Sequence, residues 1–211
     1  MVADAQTLTA DGFELSGPSG LAYAAKMDGM PDDGALMLRY RDGDVAAFET
    51  LYRRHNDALY RYLLRLSRSP EAAEDIFQEA WSKIIRARET YRPTAQFKTF
   101  LYRVARNCFI DHIRRNQRHE QAIDFAPENQ PDPGELPDAL TERSLARRRL
   151  AAALLELPDE QRDVFLLREE GGFSLDQIAS ITDSNRETVK SRLRYAVNKL
   201  RAAIDEPVEA S

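Results

Sequence analysis

Six cations, Arg186, Lys190, Arg192, Arg194, Lys199 and Arg201, recur along one short stretch of the chain. The apolar residues among them, Val189, Leu193, Ala196, Val197 and Leu200, hold helical spacing. A helix with cations on one side and an apolar stripe on the other can neutralise the phosphates of a nucleic acid. Its alternative is a solvated basic face on an ordinary helical hairpin.

The elements that must position these cations run from Phe173 to Arg201, FSLDQIASITDSNRETVKSRLRYAVNKLR. Ser174 is placed to cap a first short helix, with Gln177 completing a capping box and Leu175, Ile178 and Ala179 on its apolar side. Ser184 is placed to cap the longer basic helix in the same way, with Glu187 reaching back. A short helix, a polar turn and a basic second helix outline a helix-turn-helix, whose second helix enters the major groove of DNA.

Other chemistry is thin. Cys108, His112 and His119 have ligand-type side chains, but Cys108 lies on an apolar stripe and no fourth ligand is near, so no metal is expected. His55 sits in an amphipathic helix, packed or solvated. No Gly-rich phosphate loop, Ser-His-Asp set or carboxylate pair with a plausible pocket is present. Neither enzymatic activity, a cofactor nor a small-molecule substrate is expected.

The single cysteine excludes an intramolecular disulfide and points to a reducing cytoplasm. No apolar run approaches the roughly 20 residues of a membrane span. Residues 1–35 hold one Lys and six acids, unlike a signal peptide, so no membrane insertion is expected. The net charge of −5 is an average over opposites. Residues 1–35 carry −5, 36–119 carry +7, 120–140 carry −6, 141–204 carry +2 and 205–211 carry −3. Positive charge gathers in the two segments whose patterns predict folding.

The expected fold is all-α, two small helical domains joined by a flexible, acidic, Pro-rich linker. Residues 1–35, rich in Gly, Pro, Ser and Asp, form an acidic extension expected to lack a fixed fold. The first unit spans 36–118. In it Asp44 caps a helix bearing Phe48, Leu51, Tyr52, Leu59, Tyr62, Leu63 and Leu66. Ser69-Pro70 starts a second, burying Ala73, Ile76, Phe77, Ala80, Trp81, Ile84 and Ile85. A third runs from about Gln96 to Arg115 with Phe97, Phe100, Leu101, Val104, Ala105 and Cys108 inward. Residues 119–140 hold four prolines and read as the linker. The second unit, 141–204, has one helix with Leu145, Leu150, Ala153, Leu154 and Leu157, and another begun by Pro158 with Val164, Phe165 and Leu167. The helix-turn-helix completes it, and 205–211 is a tail.

Several stretches in order carry a family resemblance: AFETLYRRH, LYRYLLRL, AEDIFQEAW and FLYRVARNCFIDHIRR in the first unit, LPDEQRDVFLLREEGGFSLDQIASI and TVKSRL in the second. The chain resembles a bacterial RNA polymerase sigma factor of the extracytoplasmic-function (ECF) group of the sigma-70 family. The first unit is similar to region 2, which in that family binds core polymerase and opens the -10 element. The second is similar to region 4, which reads the -35 element. The resemblance implies a polymerase-binding face of Glu71, Glu74, Asp75, Gln78 and Glu79 on the second helix. It implies single-stranded -10 contacts from Arg103, Arg106, Asn107, Arg114 and Arg115, with the loop from Tyr91 to Gln96 in the place of a flipped-base pocket. On the recognition helix it implies duplex contacts from Arg186, Thr188, Lys190, Ser191, Arg192 and Arg194, Lys190 and Arg192 toward phosphate, Ser191 and Arg194 toward base edges. The alternative for Arg192 is a salt bridge within its own domain. Core RNA polymerase, promoter DNA and an anti-sigma factor are the partners implied.

Three positions depart from the family pattern. Ala72-Ala73-Glu74-Asp75 lacks the usual first acid, Glu187 stands where Gly is common, and Tyr195-Ala196-Val197 replaces Arg-Ala-Arg. A stand-alone helix-turn-helix regulator is the competing reading. It requires an N-terminal receiver or ligand domain, and residues 36–118 show no alternating strands. The promoter sequence, the inducing signal and the role of residues 1–35 are not legible.

Overall fold

The computed structural model describes residues 31–120 and 142–205, and every regular element among them is helical. The first half contains α1 (Asp33–Arg41), α2 (Val45–Ser67), α3 (Pro70–Arg86), a 3-10 turn (Ala87–Thr90) and α4 (Phe97–Glu120). The second contains α5 (Glu142–Leu155), α6 (Asp159–Glu169), α7 (Leu175–Thr182) and α8 (Arg186–Asp205). The expected acidic linker and most of the N-terminal extension and tail lie outside the described residues.

The helix starts follow from capping chemistry. Asp44 Oδ1 accepts the Ala47 amide ahead of α2, and Ser69 Oγ accepts the Ala72 amide ahead of α3, whose first residue Pro70 has no N–H to leave orphaned. Both halves of the expected capping box are present at α7: Gln177 N–H donates to Ser174 Oγ, and Ser174 N–H to Gln177 Oε1. The cap of α8 differs from expectation. Asn185 Oδ1, not Ser184, accepts the Thr188 amide at 2.8 Å. Asp183 adopts a left-handed conformation, φ 52°, which ends α7 and brings Asn185 rather than Ser184 to the helix entrance. The Ser184 hydroxyl faces the Thr182 carbonyl instead. Glu187 pairs forward with Lys190 at 3.6 Å.

α1 begins at Asp33, ahead of the expected start at Leu36, and buries Leu36, Met37 and Tyr40. Its first residue is tied down by Arg54 Nη1 and His55 Nε2 of α2, each 2.7 Å from an Asp33 oxygen. Leu59, Leu63, Ile76, Trp81, Ile84, Phe97, Leu101, Ala105 and Cys108 fill the core between α2, α3 and α4. Burying each such large apolar side chain contributes about 1.5–3 kcal/mol against its exposure. Ile85, expected inside, is exposed because the buried line of α3 runs through Ile84 in that last turn and the next residue is rotated away from it.

In the second half Leu154, Leu157, Val164, Leu166, Leu167, Phe173, Ile178, Val189, Ala196 and Leu200 are buried. Gly172, φ 62°, reverses the chain after α6, and a side chain at Gly171 would collide with the Phe173 ring. α6 is covered on two sides, with Arg162 and Asp163 as buried as its leucines. Its apolar side faces α7 and α8, and its charged side faces α2 and α4. The described residues from Asp33 on pack as one compact unit, within which the two helical domains meet.

Candidate nucleic-acid interface

Along α8 the side opposite Val189, Ala196 and Leu200 is open to solvent and carries Arg186, Lys190 and Arg194, with Thr188 and Ser191 half-buried at its edges. Arg186 approaches Asp176 at 3.3 Å in an exposed pair that surface screening weakens. The Arg194 guanidinium lies 5.3 Å from the Tyr195 ring centre, and Tyr195 is itself exposed beside it. Arg192 turns away from this row. Its guanidinium pairs with Glu160 of α6 and contacts Ser184 Oγ at 3.2 Å, the within-domain alternative open from sequence.

On α4 the expected -10 residues are divided. Asn107 and Arg114 are exposed. Arg115 pairs with Glu79 of α3 at 2.8 Å, joining one residue expected at DNA to one expected at polymerase. Arg103 donates to Ser180 Oγ of α7, and Arg106 Nε donates to Asp163 Oδ2 of α6 at 2.6 Å. The Arg106–Asp163 pair is nearly sealed, with side chains 15% and 6% exposed. The Tyr62 hydroxyl of α2 donates to the other Asp163 oxygen at 2.7 Å.

These contacts belong to a longer seam between the halves. Lys98 Nζ of α4 donates to the Gly171 carbonyl at 2.6 Å and stands over the Phe173 ring. Tyr102 meets that ring edge-on at 4.9 Å. Gln177 of α7 donates to Gln96, at the end of the loop that begins at Tyr91, and Arg65 of α2 pairs with Glu170. Arg162 Nη2 donates to the Leu66 carbonyl at 3.0 Å. Burial pushes the Asp163 carboxyl above its ordinary value, which Arg106 and Tyr62 only partly offset. Burial likewise pushes the Tyr62 and Tyr102 phenols up and the Lys98 ammonium down. The Tyr102 hydroxyl, Glu170 Oε2 and Arg162 Nε are buried in the seam without a hydrogen-bond partner among the described residues. Each such atom costs about 1–3 kcal/mol.

The acid face of α3 stands apart from the seam. Glu71, Glu74, Asp75 and Gln78 are exposed, and Gln78 donates to Glu74 at 3.3 Å. Burial raises the Glu79 carboxyl, but hydrogen bonds and charge from Arg115 and Lys83 outweigh it and leave the group below its ordinary value. Glu74 and Gln78 border a shallow groove walled by Tyr52, Tyr60 and Phe77. Sequence reading assigned Tyr52 and Phe77 to the core, and their half-exposed rings give this face an apolar component. Among the described residues no group of three or more His, Cys, Asp or Glu is placed to hold a metal, and no helix is long and apolar enough to cross a membrane.

Residues 51–119 match the family model Sigma-70 region 2, and residues 147–200 match Sigma-70, region 4. The RNA polymerase sigma factor CarQ of Myxococcus xanthus is 31% identical over 170 residues, covering 81% of this chain and 96% of the relative. The ECF RNA polymerase sigma factor SigL of Mycobacterium tuberculosis is 35% identical, covering 77% and 92%. The chain belongs to the ECF group of the sigma-70 family. Two solved structures share the fold. One is the sigma factor RpoE of Bartonella quintana with the anti-sigma factor NepR, TM-score 0.63 at 24% identity, covering 77% of this chain and 98% of that one. The other is CnrH with the cytosolic domain of CnrY, TM-score 0.60 at 23% identity, covering 82% and 97%.

In this sigma factor the seam lies between the two matched regions. Region 2 supplies Tyr62, Arg65, Lys98, Tyr102, Arg103 and Arg106, and region 4 meets them with Asp163, Glu170, Phe173 and Ser180. The sequence singles out Arg103, Arg106 and Tyr62 but gives Asp163, Glu170 and Ser180 no role and does not show that the two sets meet. The available signal was Arg162-Asp163 set directly against the apolar run Val164 to Leu167, two charges where a single-faced helix would need none.

Proposed function

We propose that this sigma factor reads a promoter through two separate faces and acts by binding alone, in the cytoplasm. Residues 141–204 address the -35 duplex through Arg186, Thr188, Lys190, Ser191 and Arg194, and through Arg192 once it leaves Glu160. Residues 36–118 address the -10 strand through Arg103, Arg106, Asn107, Arg114 and Arg115. Glu71, Glu74, Asp75, Gln78 and Glu79 meet core polymerase, with Tyr52, Tyr60 and Phe77 supplying apolar contact. Opening a promoter in this way requires tighter binding to the separated strand than to the duplex, not a catalytic group.

The observation that carries this reading is the open row Arg186, Lys190 and Arg194 on the second helix of a capped helix-turn-helix whose other side is buried. One structural relative was solved with an anti-sigma factor, and the proposal extends such control to this chain.

Run-off transcription with core polymerase on a genomic fragment library tests the reading. Added protein is expected to yield transcripts that share a two-part upstream motif, and no new transcription would overturn it. Glu74→Lys with Asp75→Lys is expected to weaken core binding about tenfold or more, since like charge is placed on an interface residue pair. Pull-down from uninduced cells is expected to recover a regulator, and recovery of polymerase alone would remove the anti-sigma part.

A further inference from the structure

Among the described residues Tyr195 is the only exposed aromatic ring, at 56%, and it stands beside the open row of α8. Ala196, the next residue, is fully buried, so the helix turns the ring about 100° away from the core. Ser191 lies about one turn before Tyr195, and Arg194 directly precedes it; these are the two residues assigned above to base edges. Arg194 also differs from its neighbours in what it touches. Arg186, Lys190, Arg192 and Lys199 each pair with an acid, Asp176, Glu187, Glu160 and Glu156 in turn. Arg194 has no such partner among the described residues, and its guanidinium lies 5.3 Å from the Tyr195 ring centre instead.

From this arrangement we infer that Tyr195 and Arg194 form one base-reading unit, which selects a guanine and an adjacent thymine in the upstream duplex. The inference rests on the duplex-reading assignment of α8 made above. Chemistry limits what a phenol ring can do at that place. It carries no charge with which to neutralise a phosphate. Bases of a closed duplex present their edges in the major groove, so their faces are not open to stacking. The apolar group on those edges is the C5-methyl of thymine, and the face of the Tyr195 ring is an apolar surface that can cover it. Arg194 supplies the other half. A guanidinium reads guanine through two hydrogen bonds, to O6 and N7, which require its planar fork to be held edge-on. A long side chain left free in solvent loses freedom on doing so. The Tyr195 ring holds the cation at its π face before DNA arrives and removes part of that loss. The reach fits as well. Residues 191 to 195 span about 6 Å of helix, and successive bases of one strand lie about 3.4 Å apart. Ser191 and the Arg194–Tyr195 unit therefore address neighbouring positions of one site.

The test uses holoenzyme assembled from core polymerase and the full chain. Duplexes selected from a library randomised upstream of the start site are expected to share a guanine next to a thymine. Deoxyuridine in place of that thymine removes only the methyl group. It is expected to weaken binding about fourfold, the worth of one buried methyl. Tyr195→Phe is expected to keep that penalty, and Tyr195→Ala to bind the thymine and uracil duplexes equally. Tyr195→Ala is also expected to lower the preference for the neighbouring guanine about twofold to fivefold, the worth of an exposed cation–π contact. Arg194→Ala is expected to abolish that preference. A uracil duplex bound as tightly as its thymine parent overturns the inference, and so does a uracil penalty that Tyr195→Ala retains. Lower core affinity in Tyr195→Ala would place the ring on polymerase and overturn it too. Failure of the duplex-reading assignment has a different signature, since no shared motif would then be selected and both would fall. With a motif selected and uracil tolerated, only the inference falls.

Discussion

The Tyr62 hydroxyl donates to the Asp163 carboxylate at 2.7 Å, joining residues that lie 101 positions apart in the chain. With Arg106 on the other oxygen, Asp163 is held by region 2 on both sides although it belongs to region 4.

Tyr62→Phe removes that donor and leaves one Asp163 oxygen buried with no partner in its place. The loss is expected to be about 1–3 kcal/mol. Urea unfolding of the free protein checks it, together with faster amide exchange in α6 than in α3. Equal exchange in both helices would mean that the bond does not hold the seam.

The caps of the helix-turn-helix separate two adjacent residues. Asn185→Ala is expected to cost about 0.5–2 kcal/mol by thermal denaturation, the range for loss of a helix N-cap. Ser184→Ala is expected to cost less, since its hydroxyl caps no amide. The reverse order would restore the cap expected from sequence.

Asp33 makes stability depend on pH. Burial raises its carboxyl, but hydrogen bonds and charge from His55 and Arg54 outweigh this and hold it below the ordinary carboxylate value. A carboxylate depressed in the folded state stabilises above its unfolded pKa, and that contribution is lost as pH falls through the folded value. Asp33→Asn is therefore expected to lower Tm at neutral pH. The gap to the parent should close below about pH 4, near the unperturbed carboxylate pKa. A gap that stays constant across this range would remove the electrostatic account.

Lys190 and Arg194 share the open row of α8. Lys190→Ala is expected to weaken holoenzyme binding to the -35 duplex across sequences and to reduce the salt slope by about 0.9, one phosphate contact. Arg194→Ala is expected instead to relax preference at one base pair, at about 1–3 kcal/mol of discrimination. Filter binding at several salt concentrations on matched and altered duplexes distinguishes the two. Identical profiles would merge their roles.

Local features were legible in the sequence because their causes are local. Asp44, Ser69 and the Ser174–Gln177 box cap helices within a few residues of themselves, and the apolar spacing of α2, α3, α4 and α8 declares which side faces inward. The α8 cap was misplaced by one residue because Ser184 and Asn185 are both competent, and the left-handed turn at Asp183 chooses between them. The start of α1 was obscured because Asp33 is fixed by Arg54 and His55, distant in sequence. The seam was illegible for the same reason on a larger scale. Tyr62 reads as a core ring and Arg106 as a cation turned toward the -10 strand, and nothing in their periodicity says that Asp163 will meet them both.

The most direct test of this account is what the open row of α8 contributes to promoter binding. Holoenzyme carrying Lys190→Ala with Arg194→Ala is titrated against duplexes that hold the upstream motif, and its affinity for core polymerase is measured beside it. The account predicts at least about tenfold weaker duplex binding with core affinity unchanged. Unchanged duplex binding, or an equal loss of core affinity, would contradict it.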